Sequence, residues 1–220
     1  MTAKMPVVCI HGALRSRLGM WPTAVYLRRL GFDAKTFGYP TRSGQLLDHA
    51  QRLDAFIDSW LPEDAPELGF LTHSMGGLVV RAWLANTTRV AAHPLNVRVA
   101  MLSPPNQGSA LARRNAKNPL FHLLYGDAAQ ALSAPTAPDL PPVPEDASVL
   151  VLAGGKGDPR GYNPLLEGDD DGVVAVAEMG LPDVEPTFVG GVHGALQWTP
   201  SVVQRAAEFL RPEAREGAAS

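Results

Sequence analysis

The chain has 220 residues, of which 45% are hydrophobic, so it is long and apolar enough to bury one sizeable core. Nineteen basic and twenty-two acidic residues give a net charge of -3 without any basic block, so a nucleic acid partner is not expected. Cys9 is the single cysteine, which excludes an internal disulfide and a thiolate metal cluster. Its apolar neighbours predict a buried side chain.

The apolar run near the start of the chain has only four residues before His11. It is too short for the apolar region of a signal peptide, and no stretch reaches the roughly 18 residues that cross a bilayer. The sequence therefore predicts a cytoplasmic protein without stable membrane insertion.

Short apolar runs alternate with amphipathic segments along the chain, which predicts an α/β fold with a mostly parallel central sheet of about six strands flanked by helices. The predicted strands are residues 6–10, 32–37, 68–72, 97–102, 148–153 and 185–189. The predicted helices are residues 21–30, 46–60, 77–86 and 202–210. The second and fourth helices carry an apolar stripe at three- and four-residue spacing, and the third is apolar on nearly every side.

One domain is predicted over residues 1–211, and it contains a short helical insertion. Residues 109–133 form the helical part of that insertion, and the proline-rich stretch 134–145 is a connector that cannot be a helix or a central strand. Together, residues 109–146 form either a small cap or a segment packed on the sheet. The polar residues 212–220 are predicted to be a flexible tail.

Ser74 is the candidate nucleophile, because it lies in Thr72-His73-Ser74-Met75-Gly76 between a predicted strand and a predicted helix. A serine in such a sharp, strained turn projects its hydroxyl free of the sheet. Gly76 lets the strand and helix approach each other, whereas Thr72 stands where the GxSxG pattern has its first glycine. The alternative interpretation is a loop serine that caps the following helix.

A serine hydroxyl needs a base, and that base needs a third group that holds its tautomer. His193 follows the last predicted strand, at the sheet edge where ligand sites of open α/β sheets lie, and is the predicted base. It could otherwise be a solvated loop histidine. Asp171, which precedes Gly-Val-Val, is the first candidate for the acid. Asp158 is the second candidate and Asp170 the third.

The acidic run at residues 169–171 could also be a solvated or cation-binding loop. It lacks the spacing of an EF-hand, and the chain has no HExxH pattern, so neither a metal nor a cofactor is expected. The His11-Gly12-Ala13 turn follows the first predicted strand. We expect the backbone amides of Ala13 and Met75 to form an oxyanion hole, with His11 as a structural residue of the turn.

Several stretches together resemble the α/β-hydrolase superfamily, and within it the small bacterial lipase-like and esterase-like serine hydrolases. These stretches are residues 8–12, 39–43, 72–77, 103–109, 163–166 and 171–174. The resemblance covers roughly residues 6–210 and implies a minimal α/β-hydrolase fold that lacks the first strands of larger relatives. It also implies that the aspartate of the Asp-Gly-x-Val segment is the acid, which favours Asp171. The order Ser74, Asp171, His193 is the order of that superfamily.

The resemblance implies a serine hydrolase that cleaves small carboxylic acyl esters through an acyl-enzyme intermediate. Because no long lid is available, short-to-medium acyl chains are favoured. A thioesterase, amidase or acyltransferase would use the same three residues. A non-catalytic binding protein on a hydrolase fold is the remaining alternative, since a fold alone does not establish an activity.

Overall fold

A computed structural model describes residues 4–92, 95–133, 140–144 and 146–212 of the chain. In this part of the chain, six parallel strands form one sheet in the order β2-β1-β3-β4-β5-β6. The strands are β1 (Pro6–Ile10), β2 (Asp33–Phe37), β3 (Glu67–His73), β4 (Asn96–Leu102), β5 (Ala147–Ala153) and β6 (Thr187–Phe188). The predicted parallel sheet is confirmed.

Helices cover both faces of this sheet, which explains why β1, β3, β4 and β5 are mostly apolar, whereas the edge strand β2 carries Asp33 and Lys35. The helices are α1 (Trp21–Arg29), α2 (Leu46–Asp58), α3 (Met75–Asn86), α4 (Arg89–Ala92), α5 (Ala110–Arg114), α6 (Pro119–Tyr125), α7 (Asp127–Leu132) and α8 (Pro200–Leu210). On one face, Val8 and Ile10 of β1 pack with α2 and α3. On the other face, Val7 and Cys9 pack with α1 and α8, as the alternation of side chains along a strand requires.

Cys9 is fully buried, and burial raises the pKa of its thiol to about 12. The prediction of a buried cysteine is therefore confirmed. None of the helices described above has the length and apolar character that a bilayer-spanning segment requires.

The strand register determines where the loops of the candidate site emerge. Ile10 is paired with Thr72, and His73 is paired with Leu102. The chain therefore leaves β1, β3 and β4 at one edge of the sheet, directly before His11, Ser74 and Ser103, and Gly12 follows His11. The carboxyl ends of parallel strands meet at this edge.

The structure differs from the predicted elements mainly in the insertion and in the last strand. Residues 109–133 fold into three short helices, α5 to α7, and Asn118 caps α6 by accepting a hydrogen bond from Leu120 N at 3.0 Å. β6 has two residues instead of five, because Pro186 has no N–H for the ladder. Residues 140–144 contain no helix or strand, while residues 134–139 and 145 of the predicted connector lie outside the described residues. Most of the predicted tail, residues 213–220, also lies outside them.

Candidate active site

Ser74 occupies the turn between β3 and α3 with φ 54° and ψ -127°. This left-handed region is rare for a residue with a side chain, and such a conformation costs on the order of 1–3 kcal/mol. Two backbone hydrogen bonds hold the turn: Ser74 N donates to Leu102 O, and Gly77 N donates to Ser74 O, both at 2.9 Å. The strand, strained turn and helix predicted around Ser74 are all present.

Two glycines make room for this turn. A Cβ atom on Gly12 would lie 2.8 Å from the Cβ of Ser74. A Cβ atom on Gly76 would lie 2.8 Å from the carbonyl oxygen of Ile10. Thr72 is fully buried, and its hydroxyl has no hydrogen-bond partner among the described residues. The turn therefore forms with threonine at the position where the GxSxG pattern has its first glycine.

Asp171 and His193 are joined by two hydrogen bonds. The side chains meet at 2.7 Å between Oδ2 of Asp171 and Nδ1 of His193, and His193 N donates to Asp171 O at 2.8 Å. Asp171 lies in the long loop between β5 and β6, and His193 lies in the loop between β6 and α8. The backbone bond thus fixes one loop against the other and sets the orientation of the imidazole.

The environment of Asp171 keeps its carboxylate ionised although the residue is only 1% exposed. Oδ1 accepts hydrogen bonds from Val173 N at 3.0 Å and from Val174 N at 2.8 Å. Burial raises the pKa of Asp171, but His193, the Val174 amide and the Ser103 hydroxyl outweigh burial and lower it overall. Ser103 was not singled out from the sequence. The sequence signal for Ser103 is its place directly after the apolar strand β4, and in the structure its φ is 44°.

The two preceding aspartates hold the loop together, and among the described residues no hydrogen bond joins either of them to His193. Asp170 is fully buried and accepts hydrogen bonds from Asn163 N at 3.1 Å and Gly172 N at 2.6 Å. Asp169 accepts from Gly157 N at 2.8 Å. Three consecutive carboxylates therefore face three different sets of partners, and only Asp171 faces the imidazole.

Asp158, the other candidate for the acid, lies at the surface and pairs with Arg160 at 2.9 Å. The hydrogen bonds from Arg160 lower the pKa of Asp158. No hydrogen bond links it to His193 among the described residues. Among all the described residues, no group of three or more His, Cys, Asp or Glu side chains could hold a metal ion.

His73 connects the nucleophile turn to the loop of His193. Its Nε2 lies 2.9 Å from the carbonyl oxygen of His193, and the two rings are 4.7 Å apart. Burial, followed by the charge of His193, lowers the pKa of His73 to about 3, so its ring is neutral. Because a carbonyl only accepts, Nε2 must carry the proton and donate it. Sequence analysis missed this contact, since nothing in the local sequence links residues 120 positions apart.

The loop that follows β1 is fixed by an aromatic stack. The rings of His11 and Tyr39 are 4.5 Å apart and nearly parallel, and Tyr39 Oη donates to His11 O at 2.8 Å. His11 is buried, and burial lowers its pKa. Its contacts are those of a structural residue. The same loop carries Ala13, whose N–H, like that of Met75, donates to no acceptor in the hydrogen bonds of the described residues.

Ser74 and His193 lie on the wall of one cavity of about 330 Å³. Side chains of the insertion also line this cavity, namely Leu111, Ala112, Phe121, Tyr125 and Leu132. No hydrogen bond joins the Ser74 hydroxyl to His193 among the described residues; such contacts often tighten only when substrate binds. A larger groove of about 450 Å³ lies beside α2 and α7, but the residues that line it include no serine, histidine or cysteine.

No protein-family model and no curated protein matches this chain. Solved structures do match it. The mature lipase BlEst2 of Bacillus licheniformis is 19% identical with a TM-score of 0.69, and the match covers 92% of this chain and 88% of that one. The propeptide form of that lipase is 22% identical, with a TM-score of 0.78. That match covers 100% of this chain but only 53% of the propeptide form, so this chain spans about half its length.

Two further matches bear names of different activities. A metagenomic carboxyl esterase is 17% identical, with a TM-score of 0.62 over 94% of this chain and 75% of that one. A type II thioesterase of the yersiniabactin biosynthetic pathway is 13% identical, with a TM-score of 0.59 over 94% and 93%. At these identities the matches show the fold. The chain therefore has the α/β-hydrolase fold that its sequence resemblance implies, and it is similar in structure to bacterial lipases and esterases.

Proposed function

We propose that the protein hydrolyses carboxylic acyl esters, with Ser74 as nucleophile, His193 as general base and Asp171 as the acid that orients the base. The observation that carries this proposal is the 2.7 Å contact between Asp171 and His193 beside the cavity on whose wall the strained Ser74 lies. The fold alone would not support it, because the same fold also serves other functions.

In the proposed reaction, Nε2 of His193 takes the proton of Ser74 as Oγ bonds to the acyl carbon. The bond from that carbon to the alcohol oxygen then breaks, and His193 returns the proton to the leaving alcohol. Water activated by His193 releases the acid and restores Ser74. The ionised Asp171 accepts from Nδ1–H throughout, which keeps Nε2 free to act as the base and stabilises the imidazolium.

The oxyanion that forms in each step would be held by the amides of Ala13 and Met75. Neither N–H donates to a described acceptor, and Met75 begins α3, whose positive end adds to the stabilisation. One donor of this kind contributes about 3 kcal/mol to the transition state.

The cavity supports short-to-medium acyl chains as substrates. Its volume of about 330 Å³ is near the lower end of the roughly 300–1,000 Å³ common for small-molecule sites. Part of its lining is apolar because α5, α6 and α7 contribute Leu111, Phe121 and Leu132. The insertion at residues 109–133 therefore lines the cavity and is proposed to hold the acyl group.

A fluorophosphonate probe tests the nucleophile directly. We expect a covalent adduct on Ser74, mapped by mass spectrometry, together with hydrolysis of nitrophenyl esters whose rate depends on acyl length. Ser74→Ala should remove both, whereas Ser201→Ala, on the exposed face of α8, should retain both. A folded wild-type protein without an adduct on Ser74 would contradict the proposal and favour a binding protein.

A thioesterase is the second candidate, favoured by the match to the type II thioesterase over 94% of this chain. Four reactions with the same acyl group distinguish the candidate activities. They are hydrolysis of the oxygen ester, of the thioester and of the amide, and transfer of the acyl group to an added alcohol. A larger kcat/KM for the oxygen ester is expected. A preference for the thioester, the amide or acyl transfer would reassign the substrate class while retaining the residues.

A further inference from the structure

Arg15 brings a fixed positive charge to the cavity of the candidate site. Among the described residues that line this cavity, Arg15 alone carries a permanent charge, and the other lining side chains are apolar or polar without a permanent charge. A mostly apolar cavity with one cation selects for a ligand that has an apolar part and an anionic part.

The position of the Arg15 guanidinium is defined by two neighbours. Its central carbon lies 5.8 Å from the ring centre of Trp198, and Trp198 is itself anchored because Nε1 donates to Gly19 O at 2.7 Å. On the other side, Nη2 of Arg15 lies 3.1 Å from the point that a Cβ atom on Gly194 would occupy. The guanidinium therefore stands directly beside the residue that follows His193.

The hydrogen-bond donors of Arg15 are available to a ligand. In the described part of the chain, no Asp or Glu forms an ion pair with Arg15, and its side chain donates to no described acceptor. Arg17, two residues later, is equally exposed but does not line the cavity. A guanidinium presents several donors in a planar fork that matches a carboxylate or a phosphate.

The position of Arg15 relative to His193 indicates whether Arg15 would contact the acyl part or the alcohol part of the ester. His193 must return a proton to the leaving alcohol, so the alcohol lies beside the imidazole. Arg15 lies next to Gly194, the residue that follows His193, whereas Phe121 and Leu132 belong to the insertion assigned to the acyl group. We propose that Arg15 binds an anionic group on the alcohol part of the substrate. This inference rests on the proposed ester hydrolysis.

The test compares two esters with the same acyl group, 4-butanoyloxybenzoate and its methyl ester, which differ in one negative charge on the leaving group. The measured quantity is the ratio of kcat/KM for the anionic ester to that for the neutral ester, since the ratio cancels effects common to both. We expect Arg15→Gln to lower this ratio by about tenfold, in line with a charge-assisted hydrogen bond at a partly solvated site. Arg15→Lys should restore part of it.

Arg17→Gln is the matched control, because it removes the same charge outside the cavity. It should leave the ratio at the wild-type value. Added salt should lower the ratio of the wild type and of Arg17→Gln, but not that of Arg15→Gln. A third ester, 4-nitrophenyl hemisuccinate, carries its charge on the acyl side and should respond less to Arg15→Gln than 4-butanoyloxybenzoate does.

Three results would overturn the inference. These are an unchanged ratio in Arg15→Gln, an equal loss in Arg17→Gln, or a larger effect of Arg15→Gln on the hemisuccinate. In each case, hydrolysis of the neutral ester leaves the proposed function standing. If none of the esters is hydrolysed and Ser74 forms no fluorophosphonate adduct, the proposed function fails and the inference fails with it.

Discussion

The two halves of the candidate site are built in different ways. The nucleophile half, with Gly12, Ser74 and Gly76, follows directly from paired strands, and it is packed so closely that a Cβ atom on either glycine would lie within 3 Å of a neighbouring atom. The half with Asp171 and His193 lies in loops, and side-chain carboxylates that accept backbone N–H groups hold it in place. A substitution should therefore disturb the first half through steric overlap and the second through lost hydrogen bonds.

The largest expected effect tests whether the two halves work as one unit. Ser74→Ala and His193→Ala should each lower kcat for nitrophenyl butanoate by about a millionfold, because neither group functions without the other. For the same reason, the double variant should be no slower than either single variant. A double variant that is slower by the product of the two single effects would show that the halves act independently.

The second prediction separates two neighbouring carboxylates of the loop half. Asp171→Asn should lower kcat by about 10,000-fold, because the amide cannot hold the productive tautomer of His193. Asp170→Asn should instead lower the free energy of unfolding by about 1–3 kcal/mol, because it leaves the amide of Asn163 or Gly172 without an acceptor.

Kinetics and urea unfolding of the same two variants check this pair of effects. Asp170→Asn should retain most of its turnover, and Asp171→Asn should retain most of its stability. The opposite pattern would assign the acid to Asp170.

The nucleophile half could be predicted from the sequence because its signal is contiguous. A strand, Ser74 and a helix follow one another, and the register of β1 with β3 brings Gly12 to the same place. Thr72 replaces the first glycine of the GxSxG pattern, but the turn at Ser74 is still present. The fold could also be predicted from contiguous sequence, because the buried central strands of a parallel sheet are short apolar runs.

The loop half could not be resolved from local sequence. Asp170 and Asp171 are adjacent, and which of them faces His193 depends on contacts from residues as distant as Ser103 and Asn163. The resemblance to hydrolases favoured Asp171, whereas spacing alone left three candidates. The link from His73 to the His193 carbonyl and the division of the insertion into three helices depend on tertiary contacts in the same way.

A smaller effect is expected from crowding the nucleophile half. Gly12→Ala places a methyl group 2.8 Å from the Cβ of Ser74, so the backbone must shift. We expect a loss of about 1–3 kcal/mol in the free energy of unfolding and a lower kcat, because the Ala13 amide moves with the chain. Gly19→Ala is the control, since a Cβ there meets nothing within 4 Å. Equal stability of the two alanine variants in urea would show that the turn is looser than described.

The last prediction concerns the pH dependence of stability that is caused by His73, whose side chain connects the nucleophile half to the loop half. Its folded pKa of about 3 lies below the ordinary 6.5, so the unfolded chain binds a proton that the folded chain excludes. The stability that follows from this difference is fully present above pH 6.5 and is lost as the pH falls toward 3. Within this window, the free energy of unfolding should decrease by about 1.4 kcal/mol per pH unit for each such histidine.

Urea unfolding between pH 7 and pH 4.5 measures this slope. His11 and His49, whose pKa values burial also lowers, add to the wild-type slope, so the informative quantity is the difference between variants. His73→Asn should flatten the slope by about 1.4 kcal/mol per pH unit relative to the wild type. An unaltered slope in His73→Asn would mean that the ring is solvated in the folded protein. The bond to the His193 carbonyl would then be absent, and the two halves would lack the side chain that joins them.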